Sequence, residues 1–164
     1  GWRVRANAYD SKSELGADTE FTKVDGEVTV AQSFGEHTFN LYWRAGDKVG
    51  SKPLPTYAQF QLGGFLNLSG YSAGQFTGGN FQYGRFMYYR RILKGGILDG
   101  VYGGFSLEAG KVANSLVPGN SEATQKSASV FTGADTPLGP VYFGYGHSDQ
   151  GNNSIYFVLG RIFQ

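Results

Sequence analysis

Residues 129–164, SVFTGADTPLGPVYFGYGHSDQGNNSIYFVLGRIFQ, decide the fold. They divide into three strands, separated by a tight turn at Thr136-Pro137-Leu138-Gly139-Pro140 and a polar turn at Asp149-Gln150-Gly151-Asn152-Asn153. In the last strand Ile155, Phe157, Leu159 and Phe163 fall on one side, and Tyr156, Val158, Gly160 and Ile162 on the other. Both sides are poor in charge. A soluble sheet turns a polar face to water, whereas a strand between hydrocarbon and a crowded interior has this composition. The stretch therefore predicts transmembrane β-barrel strands.

Working outward, the 164 residues contain 26 Gly, 13 Phe, 11 Tyr and 2 Trp. That mixture suits strands that pack closely and set aromatic rings at a water interface, and a Gly-rich soluble β-domain that binds lipid is the alternative. No window of about 18 apolar residues exists, so no transmembrane helix is expected, while a tilted membrane strand needs only about 9 to 11 alternating residues. Fourteen basic and thirteen acidic side chains give a net charge of +1, which argues against a nucleic-acid partner. The absence of cysteine leaves no disulfide or thiolate metal site. Gly1-Trp2-Arg3-Val4-Arg5 lacks the apolar core of a signal peptide and already alternates as a strand.

Taken in order, the expected strands are residues 2–9, 21–34, 37–45, 82–92 and 100–110, followed by the three described. Trp2, Val4, Ala6 and Ala8 oppose Arg3, Arg5 and Asn7, and Phe39, Leu41, Trp43 and Ala45 oppose Thr38, Asn40, Tyr42 and Arg44. Gly35-Glu36 predicts a hairpin turn. Residues 46–80 form a long connection of the kind that is usually functional, and residues 112–126 a polar loop. The expectation is a single all-β domain over 1–164: an antiparallel transmembrane β-barrel with eight strands per chain.

Candidate chemistry is thin. Gly70-Tyr71-Ser72-Ala73-Gly74 matches G-x-S-x-G, but that motif needs a following helix, and Gln75-Phe76-Thr77-Gly78-Gly79 does not make one. An esterase using Ser72 would need His147, the one downstream histidine, which falls in an expected strand. His37 and His147 have no metal-ligand spacing, and no cofactor is implied. Glu108 and Asp135, on expected inward positions, are either an acid pair or counter-charges to Arg3, Arg5, Arg44 or Arg85. The Arg/Tyr stretch 85–91 suits a strand that reaches the membrane interface. The expected chain is not an enzyme.

Four stretches carry a family resemblance. Thr132-Gly133-Ala134-Asp135-Thr136-Pro137-Leu138-Gly139-Pro140-Val141-Tyr142 resembles the penultimate hairpin of the BamA-like outer-membrane assembly and secretion barrels, the bacterial surface antigen superfamily. Residues 157–163 resemble their last strand, with its terminal aromatic. Leu68-Ser69-Gly70-Tyr71 sits where that superfamily has a V-R-G-[FY] tip on a loop folded into the lumen. Phe105-Ser106-Leu107-Glu108-Ala109-Gly110 resembles the strand on which the loop arginine docks, with Glu108 at the acidic position. LGGFLNLSGY and GADTPLGPVYFGYG are most similar to the barrel domain of patatin-like type V autotransporters.

The resemblance implies a non-catalytic barrel in the bacterial outer membrane that anchors or translocates an N-terminal passenger, with a patatin-like lipase elsewhere in the parent chain. It implies outer-membrane lipid and the barrel-assembly machinery as partners. Leu68, Ser69, Gly70 and Tyr71 would form the lumen-loop tip, Phe105, Glu108 and Gly110 the docking strand, and Ile155, Phe157, Leu159 and Phe163 the membrane-insertion strand. Ser69 stands in place of the arginine, so the Arg-to-acid lock onto Glu108 is expected to be absent. Family members have sixteen strands. Eight per chain leaves half of a sixteen-stranded barrel, completed as a homodimer by a second copy or by missing N-terminal strands, or else a small closed eight-stranded barrel with the loop outside.

Overall fold

The computed structural model describes residues 1–12, 19–93, 100–116 and 122–160. In chain order the strands are β1 (Trp2–Ser11), β2 (Phe21–Phe34), β3 (His37–Val49), β4 (Phe60–Leu62), β5 (Phe76–Gly78), β6 (Asn80–Leu93), β7 (Val101–Ala113), β8 (Gln125–Thr136), β9 (Gly139–Ser148) and β10 (Asn153–Leu159). Eight of them form one antiparallel sheet in the order β1-β2-β3-β6-β7-β8-β9-β10. Those eight are the expected strands, with different ends: β3 runs on to Val49, β7 to Ala113, and β8 starts at Gln125. The expected loop 112–126 thus loses both ends to strand, because Val112 and Ala113 pair with Phe81 and Asn80. Phe163 lies outside the described residues.

The sheet is open. Among the described residues β1 pairs only with β2 and β10 only with β9, so the closed eight-stranded barrel is not what this chain forms. The reason lies on one face of the sheet, where the 50–79 connection is packed. An eight-stranded barrel has room inside for little more than its own side chains. Here Leu54, Leu62, Leu68, Tyr71 and Phe76 of the connection cluster with Phe21, Phe81, Tyr83 and Val112 of the strands. A second cluster joins Leu66 to Met87 and Phe131. The connection also contains the β4–β5 hairpin, which pairs Phe60 with Gly78 and Leu62 with Phe76.

Strand alternation gives the two faces opposite characters. The face bearing the connection carries Arg3, Arg5, Glu27, Arg44, Arg85, Glu108, Ser127 and Tyr156. The other face is apolar and uncovered. In register across it lie Trp2, Val30, Leu41, Phe86, Leu107 and Ala128, then Phe39, Tyr88, Phe105, Val130, Tyr145 and Ile155. Trp2 is 77%, Val130 59% and Phe157 72% exposed. Summed over such positions, the exposed apolar area is on the order of 1,000 Å², more than a soluble monomer ordinarily shows in one patch.

Candidate functional site: a loop tip held on Glu108

Glu108 projects from β7 onto the polar face, and sheet register surrounds it with small hydroxyls. Ser127 is directly opposite on β8, while Ser106 and Ser129 form the next pair along. Above them, the chain from Gly63 to Gly74 makes a compact turn in which Leu66 and Leu68 have φ of 56° and 75°. Left-handed backbone at a leucine costs roughly 1–3 kcal/mol and persists only where surroundings hold it. What holds it here is the carboxylate.

Five donors converge on Glu108. Oε2 accepts from the Leu68 amide at 2.7 Å, the Ser69 amide at 2.6 Å and Ser127 Oγ at 3.1 Å. Oε1 accepts from Ser69 Oγ at 2.7 Å and Ser106 Oγ at 2.5 Å. Since Ser106 gives its proton to Glu108, its contact with Ser129 at 2.7 Å is one in which Ser129 donates. Ser69 Oγ in turn accepts from the Leu66 amide at 2.8 Å. Glu108 is 4% exposed and Ser69 wholly buried. With serine at position 69 there is no arginine to reach Glu108, and the loop is pinned instead by its own backbone amides and the Ser69 hydroxyl. Two backbone N–H groups and a serine hydroxyl do at short range what a long guanidinium would do from further away.

Flanking contacts fix the rest of the tip. The Tyr156 hydroxyl from β10 lies 2.8 Å and 2.9 Å from the Ser69 and Tyr71 carbonyl oxygens and donates to that pair. Tyr83 and Arg85 from β6 both donate to the Leu66 carbonyl, at 2.7 Å and 2.8 Å. The buried Tyr71 hydroxyl lies 2.8 Å from Asp149 Oδ1 and 2.9 Å from Gln125 Oε1. Burial, with the Asp149 hydrogen bond behind it, pushes the Tyr71 phenol up to about 12. It thus remains a donor at any ordinary pH.

Close approach of the loop backbone depends on missing side chains. A Cβ at Gly70 would fall on the backbone of His147 and Ser148, and one at Gly146 on the Ser69 carbonyl. Gly144 leaves space that the Phe65 ring occupies. Leu68, Ser69, Gly70 and Tyr71 are thus brought together with Glu108, and Gly110 packs against Leu62 of the same connection. Phe105 is not at this site. It lies on the apolar face with its ring 5.6 Å from that of Tyr88, because odd positions of β7 point the other way.

Other candidates are scattered. Ser72 is exposed in the loop, whereas His147 lies on the apolar face, bonded through Nδ1 to Asn153 at 2.6 Å, so the two do not meet. Asp135 accepts from Tyr102 at 3.0 Å. It is eight positions along β8 from Ser127, the residue opposite Glu108, about 26 Å by strand rise, so the two acids are no pair. Ile155, Phe157 and Leu159 line the apolar face of the β10 edge. Sequence reading missed Ser106, Ser127, Ser129, Gly146 and Tyr156. Their shared signal is a run of small or hydroxyl residues at alternate positions of β7 to β10. No protein-family model matches the chain, and no curated protein matches it.

Proposed function

We propose that this chain is the loop-bearing half of a sixteen-stranded outer-membrane β-barrel, a non-catalytic anchor and translocator for a passenger such as a patatin-like lipase in the parent chain. The observation that carries this reading is the outline of the apolar face. Going from β3 to β10, the first polar residues on that face at the long-loop end are Asp47, Gln82, Lys111, Lys126, His147 and Asn153. Traced along the register to β3, these stand opposite positions 47, 45, 45, 43, 41 and 41.

The polar boundary thus climbs in one direction, by six residues or about 20 Å over five inter-strand steps of about 4.8 Å each. That slope is about 40°, and strands of membrane barrels tilt by about 35–45°. On β3 the band runs from His37 to Asp47, about 33 Å along the strand and about 25 Å once tilted, which matches the apolar belt of such barrels.

The two-residue connections, Gly35-Glu36 and Pro137-Leu138, lie at one end of the sheet, and the longest, 50–79, at the other. Outer-membrane barrels place short turns in the periplasm and long loops outside, so the 50–79 connection enters the lumen from the outer side. Free edges in hydrocarbon are costly, and β1 and β10 are supplied with partners either by a second copy, β10 of one against β1 of the other, or by further strands of the parent chain. Mass measurement of the folded chain in detergent tests this. The expected particle is a homodimer of two 17.8 kDa chains. A monodisperse monomer in buffer without detergent contradicts the membrane reading, and a monomer stable in detergent contradicts the second copy.

A further inference from the structure

The lumen-facing surface holds a second feature, which shares Tyr83 and Arg85 with the contacts that fix the loop tip. Between the Phe65–Asn67 segment and strands β1, β2, β3 and β6 lies a cavity of about 590 Å³. Arg3, Arg5, Arg44 and Arg85 line it, against one lining carboxylate, Glu27. Counting also Asp25, the partner of Arg44, and Glu108, opposite Arg85 in register and already bonded by the loop tip, four positive charges face three negative ones.

Three of the four guanidinium groups are held in place. Arg44 stacks over Phe81 at 5.0 Å and Arg85 over Tyr42 at 5.2 Å, while Arg5 is 3.3 Å from Glu27. Stacked guanidinium groups keep free donor edges and lose little entropy when an oxyanion arrives. Arg44 Nε and Arg85 Nε are buried without hydrogen-bond partners among the described residues, so these two guanidinium groups are not saturated from within. Arg5 and Arg44 flank Glu27 in one register row, and Arg3 and Arg85 flank Thr29 and Tyr42 in the next. From β1 to β6 is three strand spacings, about 14 Å, too wide for a single small ion to satisfy.

We propose that this cavity is a binding site for a small polyanion, a molecule carrying two or more phosphate or carboxylate groups spaced to meet the β1 arginines on one side and Arg44 and Arg85 on the other. The volume is that of an ordinary small-ligand site. The site rests on the polar face alone and holds whether or not the apolar face meets lipid.

Titration calorimetry on the detergent-solubilised chain at low salt tests it, with pyrophosphate and citrate as separate probes and glucose as the uncharged control. Saturable binding of one or both anions is expected, none of glucose, and a fall in affinity with added salt. Preference between pyrophosphate and citrate tells phosphate from carboxylate chemistry. The Arg3→Gln/Arg5→Gln variant changes exposed side chains and is expected to fold and to bind at least tenfold more weakly. An equal loss is expected for Arg44→Lys, which keeps the charge but not the planar fork. Absence of saturable binding by either anion, or affinity unchanged in a double variant of unaltered mass and protease resistance, overturns the proposal.

Discussion

Glu108→Ala releases the 50–79 connection from the sheet. Removing the carboxylate strands the Leu68 and Ser69 amides in a buried site, and each unsatisfied buried donor costs about 1–3 kcal/mol, on top of the charge-assisted hydrogen bonds lost. Left-handed Leu68 then loses the partner of its amide, and the bonds to Leu66 from Tyr83 and Arg85 are left to hold the turn. The expected loss is about 3–5 kcal/mol, enough to undock a segment whose hold on β7 centres on that side chain. Chymotrypsin reads it: residues 65–76 contain Phe65, Leu66, Leu68, Tyr71 and Phe76, mostly buried in the docked loop. Cleavage there is expected in Glu108→Ala and not in the parent protein.

Glu108→Gln should be intermediate, for a reason of geometry. Its oxygen can stay at the Oε2 position to serve the two amides, which have no alternative. Its NH2 then faces Ser69 and Ser106, whose hydroxyls can rotate to accept. Equal protease resistance in the parent and both variants would show that the carboxylate does not pin the loop.

A second large effect is expected on the opposite face. Val130 lies near the middle of β8, about halfway along the apolar band, between Phe105 and Tyr145 in register. At the midplane of a bilayer an arginine costs about 2–4 kcal/mol, whereas near the interface the cost falls to about 0–1 kcal/mol. On a water-exposed strand the same change is worth within about ±0.5 kcal/mol. Val130→Arg should therefore destabilise the barrel in a bilayer by about 2–4 kcal/mol. Val24→Arg, in the row that already contains Asp47 and Asn80, should cost at most about 1 kcal/mol. Unfolding by denaturant in vesicles gives both values. Similar small effects at the two sites would remove the distinction on which the membrane reading depends.

The strands were legible because a sheet with one polar and one apolar face writes its period into the sequence. In β10 the pair sets Ile155, Phe157, Leu159 and Ser154, Tyr156, Val158 separate on sight, and the turns carry Gly and Pro where the backbone needs them. Strand ends were less legible. Lys111, Gln125 and Lys126 lie beyond the apolar band, so their strands continue in polar residues that read as loop. Gln125, for one, is 2% exposed and sits beside the Tyr71 hydroxyl.

The site was legible only in part. Glu108 and the Leu68–Tyr71 tip stood out through resemblance, and the departure at Ser69 suggested a missing lock. What the sequence did not display is that Ser106 of β7 and Ser127 of β8 bond the same carboxylate, with Ser129 behind Ser106. Each is unremarkable alone, and only strand register places Ser127 opposite Glu108 and Ser129 opposite Ser106. The strained φ values that aim two amides at it are likewise a property of the folded loop.

Tryptophan quenching by brominated lipid bears most directly on the apolar face as a membrane face. The chain has 2 tryptophans, Trp2 and Trp43, both on that face and exposed by 77% and 51%. In a Trp2→Phe variant reconstituted in vesicles, Trp43, close to the middle of the band on β3, should be quenched more strongly by bromines deep in the acyl chains than by shallow ones. No quenching, or quenching by shallow bromines alone, would contradict a sheet that spans the bilayer.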